Sequence, residues 1–341
     1  MADGADDTPS DRMGRRIPGG RARAWVLMNA SRWLVTAVLL GVLFVLLVVL
    51  GAVDPAPLRQ AVGSKDPVET LFQGLLTAII TGVTLVVTIN QLVLSQELGA
   101  VGDQRERMEG AMQFRRDVED LLDEPVSPPD PASFLRALVE ETRERADALD
   151  DAVGDDAACR EAVASYVEDL DRNASQVSDE LADAQFGTFE VLYAALDFNY
   201  SWKIHQARRL QAGEEGEPGE AASAALGDLI EALELFGPAR EHFKTLYFQW
   251  ELIDLSRAVL YAAVPALVVA IAAILYADNP GSVTGTTLGV DHLVWLVAGA
   301  TTVALAPFAL LGAYVLRIAT VAKRTLAIGP FVLRETDRDG E

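Results

Sequence analysis

The sequence predicts an all-α, polytopic integral membrane protein with four transmembrane helices and a cytoplasmic helical bundle inserted between spans two and three. Three observations predict it. Four long stretches contain no Asp, Glu, Lys or Arg. Acidic residues concentrate between the second and third of these, and basic residues gather before the first and after the last. The 341 residues are 50% hydrophobic yet carry a net charge of −22, and only segregation reconciles the two. So much apolar content excludes a disordered chain, and a single cysteine, Cys159, excludes a disulfide scaffold. No nucleic-acid partner is expected, because neutralising phosphates takes a basic face.

The uncharged stretches are residues 33–53, 70–96, 258–277 and 293–316. Each supplies the ~20 helical residues that cross a hydrocarbon core. Lipid offers the backbone no hydrogen-bond partner, so runs of this length are helices, and the bilayer is the first partner implied. Arg12, Arg15, Arg16, Arg21, Arg23 and Arg32 precede the first span, and Arg317, Lys323, Arg324, Arg334 and Arg338 follow the fourth. The connecting loops 54–69 and 278–292 hold only Arg59 and Lys65. The positive-inside rule therefore puts both tails, 1–32 and 317–341, in the cytoplasm of a multi-pass cell-membrane protein. The 1–32 tail reads as disordered. Arg15-Arg16 also permits a twin-arginine export signal, but the apolar core of such a signal is shorter and follows the arginines closely.

Residues 97–256 carry 37 Asp+Glu against 14 Lys+Arg, a net charge of −23, so the rest of the chain nets +1. The carboxylates are scattered, and there are 4 Lys against 24 Arg. That pattern resembles proteins of extremely halophilic archaea. In ~1 M salt the Debye length falls to ~3 Å, which screens the self-repulsion. A functional cation-binding or basic-partner patch is the competing reading.

This region reads as helical, with breaks at Pro and Gly. The second span is expected to run on past Gly99 and Gly102 to Leu122, and Pro125, Pro128, Pro129 and Pro131 then force a turn. A helix follows over 132–151, and another, capped by Asp155-Asp156, runs to about Gln185. On the latter Val163, Val167, Leu170, Ala174, Val177, Leu181 and Ala184 alternate at four and three residues, the seam of a coiled coil or long bundle helix. An aromatic-rich helix spans 188–211, with Phe189, Tyr193, Phe198, Tyr200 and Trp202 set to pack a core. A short helix covers 221–236, and after Gly237-Pro238 a long one runs unbroken into the third span.

Catalytic chemistry is not legible. His205, His242 and His292 lie far apart, no Cys/His pair has zinc-ligand spacing, and no phosphate loop or nucleophile elbow exists. No cofactor, metal or enzymatic activity is expected. Asp169, Asp171, Asn173 and Glu180 match part of a calcium loop, but Ala174 stands where the sharp turn needs Gly. The same residues belong to a continuous helical seam.

The second span is unusual. Gln73, Thr77, Thr81, Thr84, Thr88, Gln91 and Ser95 form one polar stripe, spaced three or four residues apart. Gly74, Ala78 and Gly82 on an adjacent face follow the small-residue pattern of closely packed helices. The stripe either lines a pore, its hydroxyls and amides replacing part of an ion's hydration, or bonds neighbouring helices. Thr also satisfies itself on its own backbone. Pro265 and Pro307 fall at similar depth in spans three and four, a candidate hinge pair. No ionisable residue lies within a span, which argues against a proton-coupled carrier or a voltage sensor.

The two-plus-two layout with long cytoplasmic helices resembles bestrophin-type channels in topology alone; the charged and aromatic patterns of that family are missing. Two functions remain expected. One is a homo-oligomeric channel or passive conduit lined by the second span. The other is a membrane-anchored interaction or sensory module whose bundle docks a cytoplasmic protein.

Overall fold

A computed structural model describes residues 30–53, 56–64, 66–154, 159–185, 189–276 and 283–324. Of the predicted tails 1–32 and 317–341, residues 1–29 and 325–341 lie outside these, as does the Asp155-Asp156 cap, while residues 317–324 are helical. The described chain is all-helical but for one two-stranded hairpin. Its helices are α1 (Arg32–Val53), α2 (Ala56–Ser64), α3 (Asp66–Glu97), α4 (Val101–Leu122), α5 (Pro131–Ala152), α6 (Arg160–Asp183), α7 (Phe189–Leu196), α8 (Tyr200–Gln211), α9 (Glu220–Tyr276) and α10 (His292–Arg324). The strands β1 (Thr286–Thr287) and β2 (Val290–Asp291) pair antiparallel just before α10. Among the described residues four helices, α1, α3, α9 and α10, are long and apolar enough to cross a membrane. The described residues divide into two compact units, one built from residues 99–248 and 321–324 and one from residues 30–98 and 249–320.

The first unit is a helical bundle with one continuous core. Leu135, Leu138, Val139, Thr142, Ala146 and Leu149 of α5 are buried, as are Val163, Val167, Leu170, Ala174, Val177 and Leu181 of α6. The predicted seam of α6 from Val163 to Leu181 is thus the core-facing stripe, Ala184 lying past the helix end and partly buried, and α6 runs straight through Asp169–Glu180. Of the five predicted aromatic residues, Phe198 and Tyr200 pack this core, Phe198 meeting Phe236 at 4.9 Å between ring centroids and Tyr200 meeting it at 6.0 Å, whereas Phe189, Tyr193 and Trp202 are only partly buried.

Three expectations are corrected. The helix of the second span does not run on to Leu122. It ends at Glu97, and α4 starts afresh at Val101 after an extended Ala100, a break that Gly99 favours. The single helix over 188–211 is two helices. Asn173 of α6 donates to the Asp197 carbonyl at 3.0 Å, so that carbonyl is satisfied from outside and the chain turns there. Finally, Gly237-Pro238 does not break α9, which continues through both. Buried Phe236 and Ala239 hold the helix on either side, so tertiary packing overrides the local preference. Gly237 is needed for another reason: a Cβ there would lie 2.8 Å from the Tyr200 ring.

The proline-rich turn after α4 is clamped by that helix. Asp123 ends α4 in the left-handed conformation, φ 51°. Arg115 donates to the carbonyls of Ser127 (2.7 Å) and Pro128 (3.0 Å), while the Glu119 carboxylate accepts from the Ser127 N–H (2.9 Å) and hydroxyl (3.0 Å). Asp130 then caps α5 by accepting from the Ser133 N–H at 3.0 Å. The Ser127 N–H bond chiefly, then its hydroxyl, holds the Glu119 carboxyl below its ordinary value of 4.5. A depressed carboxyl stabilises the fold fully above its unfolded pKa and loses that contribution as pH falls through the lowered value. Carboxyl NMR titration should therefore find Glu119 ionised at pH values where ordinary glutamates are already protonated. Ser127→Ala should move its midpoint up towards 4.5 and start the acid loss of stability at higher pH. An unmoved midpoint would show that the hydroxyl contributes nothing.

Candidate functional site

The second unit is organised around α3. Phe72, Ile79, Val86 and Val93 recur every seven residues and are all buried. Phe72 packs in a cluster with Val62, Val68, Ala270 of α9 and Leu293 of α10. Ile79 packs with Ala263, Ala266 and Ala304, and Val86 with Leu255, Ala258, Val259, Leu310 and Tyr314. The alanines of the third span let the helices approach closely, as small residues do. By contrast α1 buries only Thr36 among its residues and lies along the edge of this core. It is held at one point where the Phe44 and Trp295 rings meet at 5.8 Å, and at another where Gly51 fits against Val294.

With one side of α3 fixed inward, the polar stripe is turned out. At about 100° per residue it lies roughly 150° round the helix from the Phe72–Val93 line. Gln73, Thr77, Thr81, Thr84, Thr88, Gln91 and Ser95 are all exposed. The threonines bond their own helix: Thr77 donates to the Gln73 carbonyl (3.0 Å), and Thr81, Thr84 and Thr88 donate to the carbonyls of Thr77, Ile80 and Thr84 (2.9 Å each). Ser95 donates to the Leu92 carbonyl at 2.7 Å. None of these bonds joins two helices. Each proton is directed to a carbonyl, which leaves the hydroxyl oxygen as an outward acceptor.

The small residues flank this stripe. Gly74, Ala78 and Gly82 line an open groove of about 710 Å³ with Thr70, Gln73, Thr77, Thr81, Leu85, Phe308 and Leu311. A Cβ at Gly74 would meet nothing within 4 Å, so the chain's own packing does not require glycine there. Pro265 and Pro307 lie on other helices, the first exposed and the second buried, and α9 and α10 continue through them. Among the described residues no cluster of three or more His, Cys, Asp or Glu is placed to hold a metal ion.

Charged locks that periodicity and composition do not reveal sit at the ends of the apolar helices. Arg32 at the start of α1 pairs with Glu251 of α9, Nε lying 3.3 Å from Oε2, and its guanidinium stands 5.5 Å from the Tyr314 ring centroid. Arg317 is buried and donates to the Ala30 carbonyl at 2.6 Å. Elsewhere in the unit Arg59 of α2, within a segment expected to be only a loop, donates to Asp291 at 2.6 Å. Asp291 also accepts from the Leu293 N–H at the start of α10, and that bond first, then Arg59, holds its carboxyl below the usual range. His292 is held between the Thr287 hydroxyl (2.8 Å) and the Thr284 carbonyl (3.0 Å), under the hairpin. In the sequence Arg32 and Arg317 register only as flanking charge. An acid such as Glu251, within two turns of a span's end, is the signal that could have found the first lock.

The Arg32–Glu251 side chains are 12% and 14% exposed, so removing one partner strands a largely desolvated charge. Arg32→Gln or Glu251→Gln should cost about 1–3 kcal/mol in thermal unfolding of the detergent-solubilised chain, and the double Gln variant should recover part of the loss. Additive losses would show that the two side chains act independently.

No curated protein and no solved structure matches the chain. One family model does, over residues 1–341: a family of unknown function, DUF7972.

Proposed function

The chain belongs to this family, whose description assigns no activity, and from the geometry we propose that it is an oligomeric membrane conduit lined by α3. The observation that carries this reading is the outward position of the polar stripe, opposite the seven-residue apolar line that fixes α3 in its own unit. A glutamine facing lipid is costly, and Gln73 and Gln91 flank the four threonines of the stripe. Between them the threonine oxygens present acceptors, the chemistry that replaces part of a cation's hydration. Copies packed around the Gly74–Gly82 groove would bring these stripes towards a shared axis, with Pro265 and Pro307 as the hinge pair.

In this reading both termini and the acidic bundle are cytoplasmic, and the −23 charge of residues 97–256 is an adaptation to molar salt. The alternative is a membrane-anchored interaction module that transports nothing. One observation favours it: the back-bonded threonines are already satisfied and tolerate a dry neighbour.

Replacing Thr77, Thr81, Thr84 and Thr88 with Val preserves shape and removes hydroxyls that bond only their own helix, so folding should survive. Planar-bilayer recordings in asymmetric molar KCl should show a cation-selective current for the wild-type chain and none for the folded quadruple variant, because apolar rings dewet the path. Absence of current from well-folded wild type across voltage would leave the interaction module as the better account.

A further inference from the structure

The most exposed helical segment outside the apolar helices is the first part of α4. Every residue from Val101 to Gln113 is exposed on every face. A helix of this length is marginal by itself in water, and Gly102 and Gly110 weaken it further. Yet its apolar residues are ordered. At about 100° per residue Val101, Met108 and Met112 fall within a ~40° stripe. They are 86%, 64% and 42% exposed. The face that α4 gives its own bundle, with Phe114, Val118 and Leu121, lies about 130° away. This helix therefore has two apolar faces, and one of them is unpartnered.

Charge narrows the choice of occupant. Residues 101–116 hold Arg105, Arg107, Arg115 and Arg116 against Asp103, Glu106 and Glu109, a net charge of +1, whereas residues 117–256 net −23. Two copies of the chain can meet along this segment without the repulsion that the net charge of residues 117–256 would bring. A membrane surface fits less well, since an interfacial helix needs an apolar face about 100° wide or more. A seam this narrow, spaced by seven and four residues, is that of paired helices.

We propose that the Val101–Met108–Met112 stripe of α4 is a self-association seam, on which α4 of a second copy packs in parallel. This rests on the self-assembly within the proposed function and not on conduction. Copies inserted the same way round in one membrane are related by an axis along its normal, and helices that meet at that axis run parallel with equivalent residues facing each other. The segment is only ~20 Å long, and such a pair buries less than the ~1,000 Å² of a stable soluble interface. Co-insertion supplies the missing effective concentration.

The test uses the full chain in lipid vesicles with Cys159, its only thiol, replaced by Ser. Met108→Cys and Met112→Cys should each convert to copy-to-copy disulfides under mild oxidation, and Glu106→Cys, on another face, should not. Equal cross-linking at all three positions would mean random collision and overturn the seam, as would none at any. A bimane label at position 108 should be insensitive to nitroxide-bearing lipid. Strong quenching would overturn the seam by assigning this face to the membrane instead. Neither readout requires a current, so failure of the conduit and failure of the seam are distinguishable.

Discussion

The repeat Phe72, Ile79, Val86 and Val93 is the constraint on which the second unit depends. It gives α3 a fixed inner face, with Phe72, Ile79 and Val86 each packed in turn against residues of α9 and α10. Once that face is set, helix geometry leaves no freedom: the line from Gln73 to Ser95 points away from the core. The chain has therefore placed the most polar line of this apolar helix where its own elements leave it exposed. A core built the other way round would have buried the hydroxyls between helices at no benefit, since Thr77, Thr81, Thr84 and Thr88 are satisfied by their own backbone.

The ends of the apolar helices are held by a different kind of interaction. Charge pairs and buried donors, Arg32 with Glu251, Arg317 with the Ala30 carbonyl and Arg59 with Asp291, tie segments distant in sequence. They fix α1, α2 and the hairpin, which bring little buried apolar surface of their own. In the acidic bundle the order is reversed. A continuous apolar core from α5 to α9 supplies the cohesion, and most charges lie at the surface, where salt screens them.

Much of this is legible in the sequence, and what is not has physical causes. The four apolar helices follow from uncharged runs, because lipid admits no other chain structure of that length. The core stripes of α5 and α6 follow from helical periodicity. Gly237-Pro238 misleads because a local breaker says nothing of the Phe236 and Tyr200 rings that pack beside it. The turn at Asp197 is invisible because its cause, Asn173, lies on another helix and stands out only as part of a calcium-loop pattern. For the stripe, the sequence supplies membership but not direction. Direction depends on which face of α3 is buried, and the Phe72–Val93 line that decides it is overshadowed by the polar residues beside it.

A conduit of the proposed kind requires the outward face of α3 to meet the same face of other copies around a wet axis. A spin label at position 84, as Thr84→Cys in the Cys159→Ser chain reconstituted in vesicles, reads both halves of it at once. A wet shared axis should give a single short copy-to-copy distance together with ready relaxation by a water-soluble paramagnetic agent. A label that shows no copy-to-copy distance and is relaxed by oxygen dissolved in lipid would contradict it, placing the stripe against the bilayer.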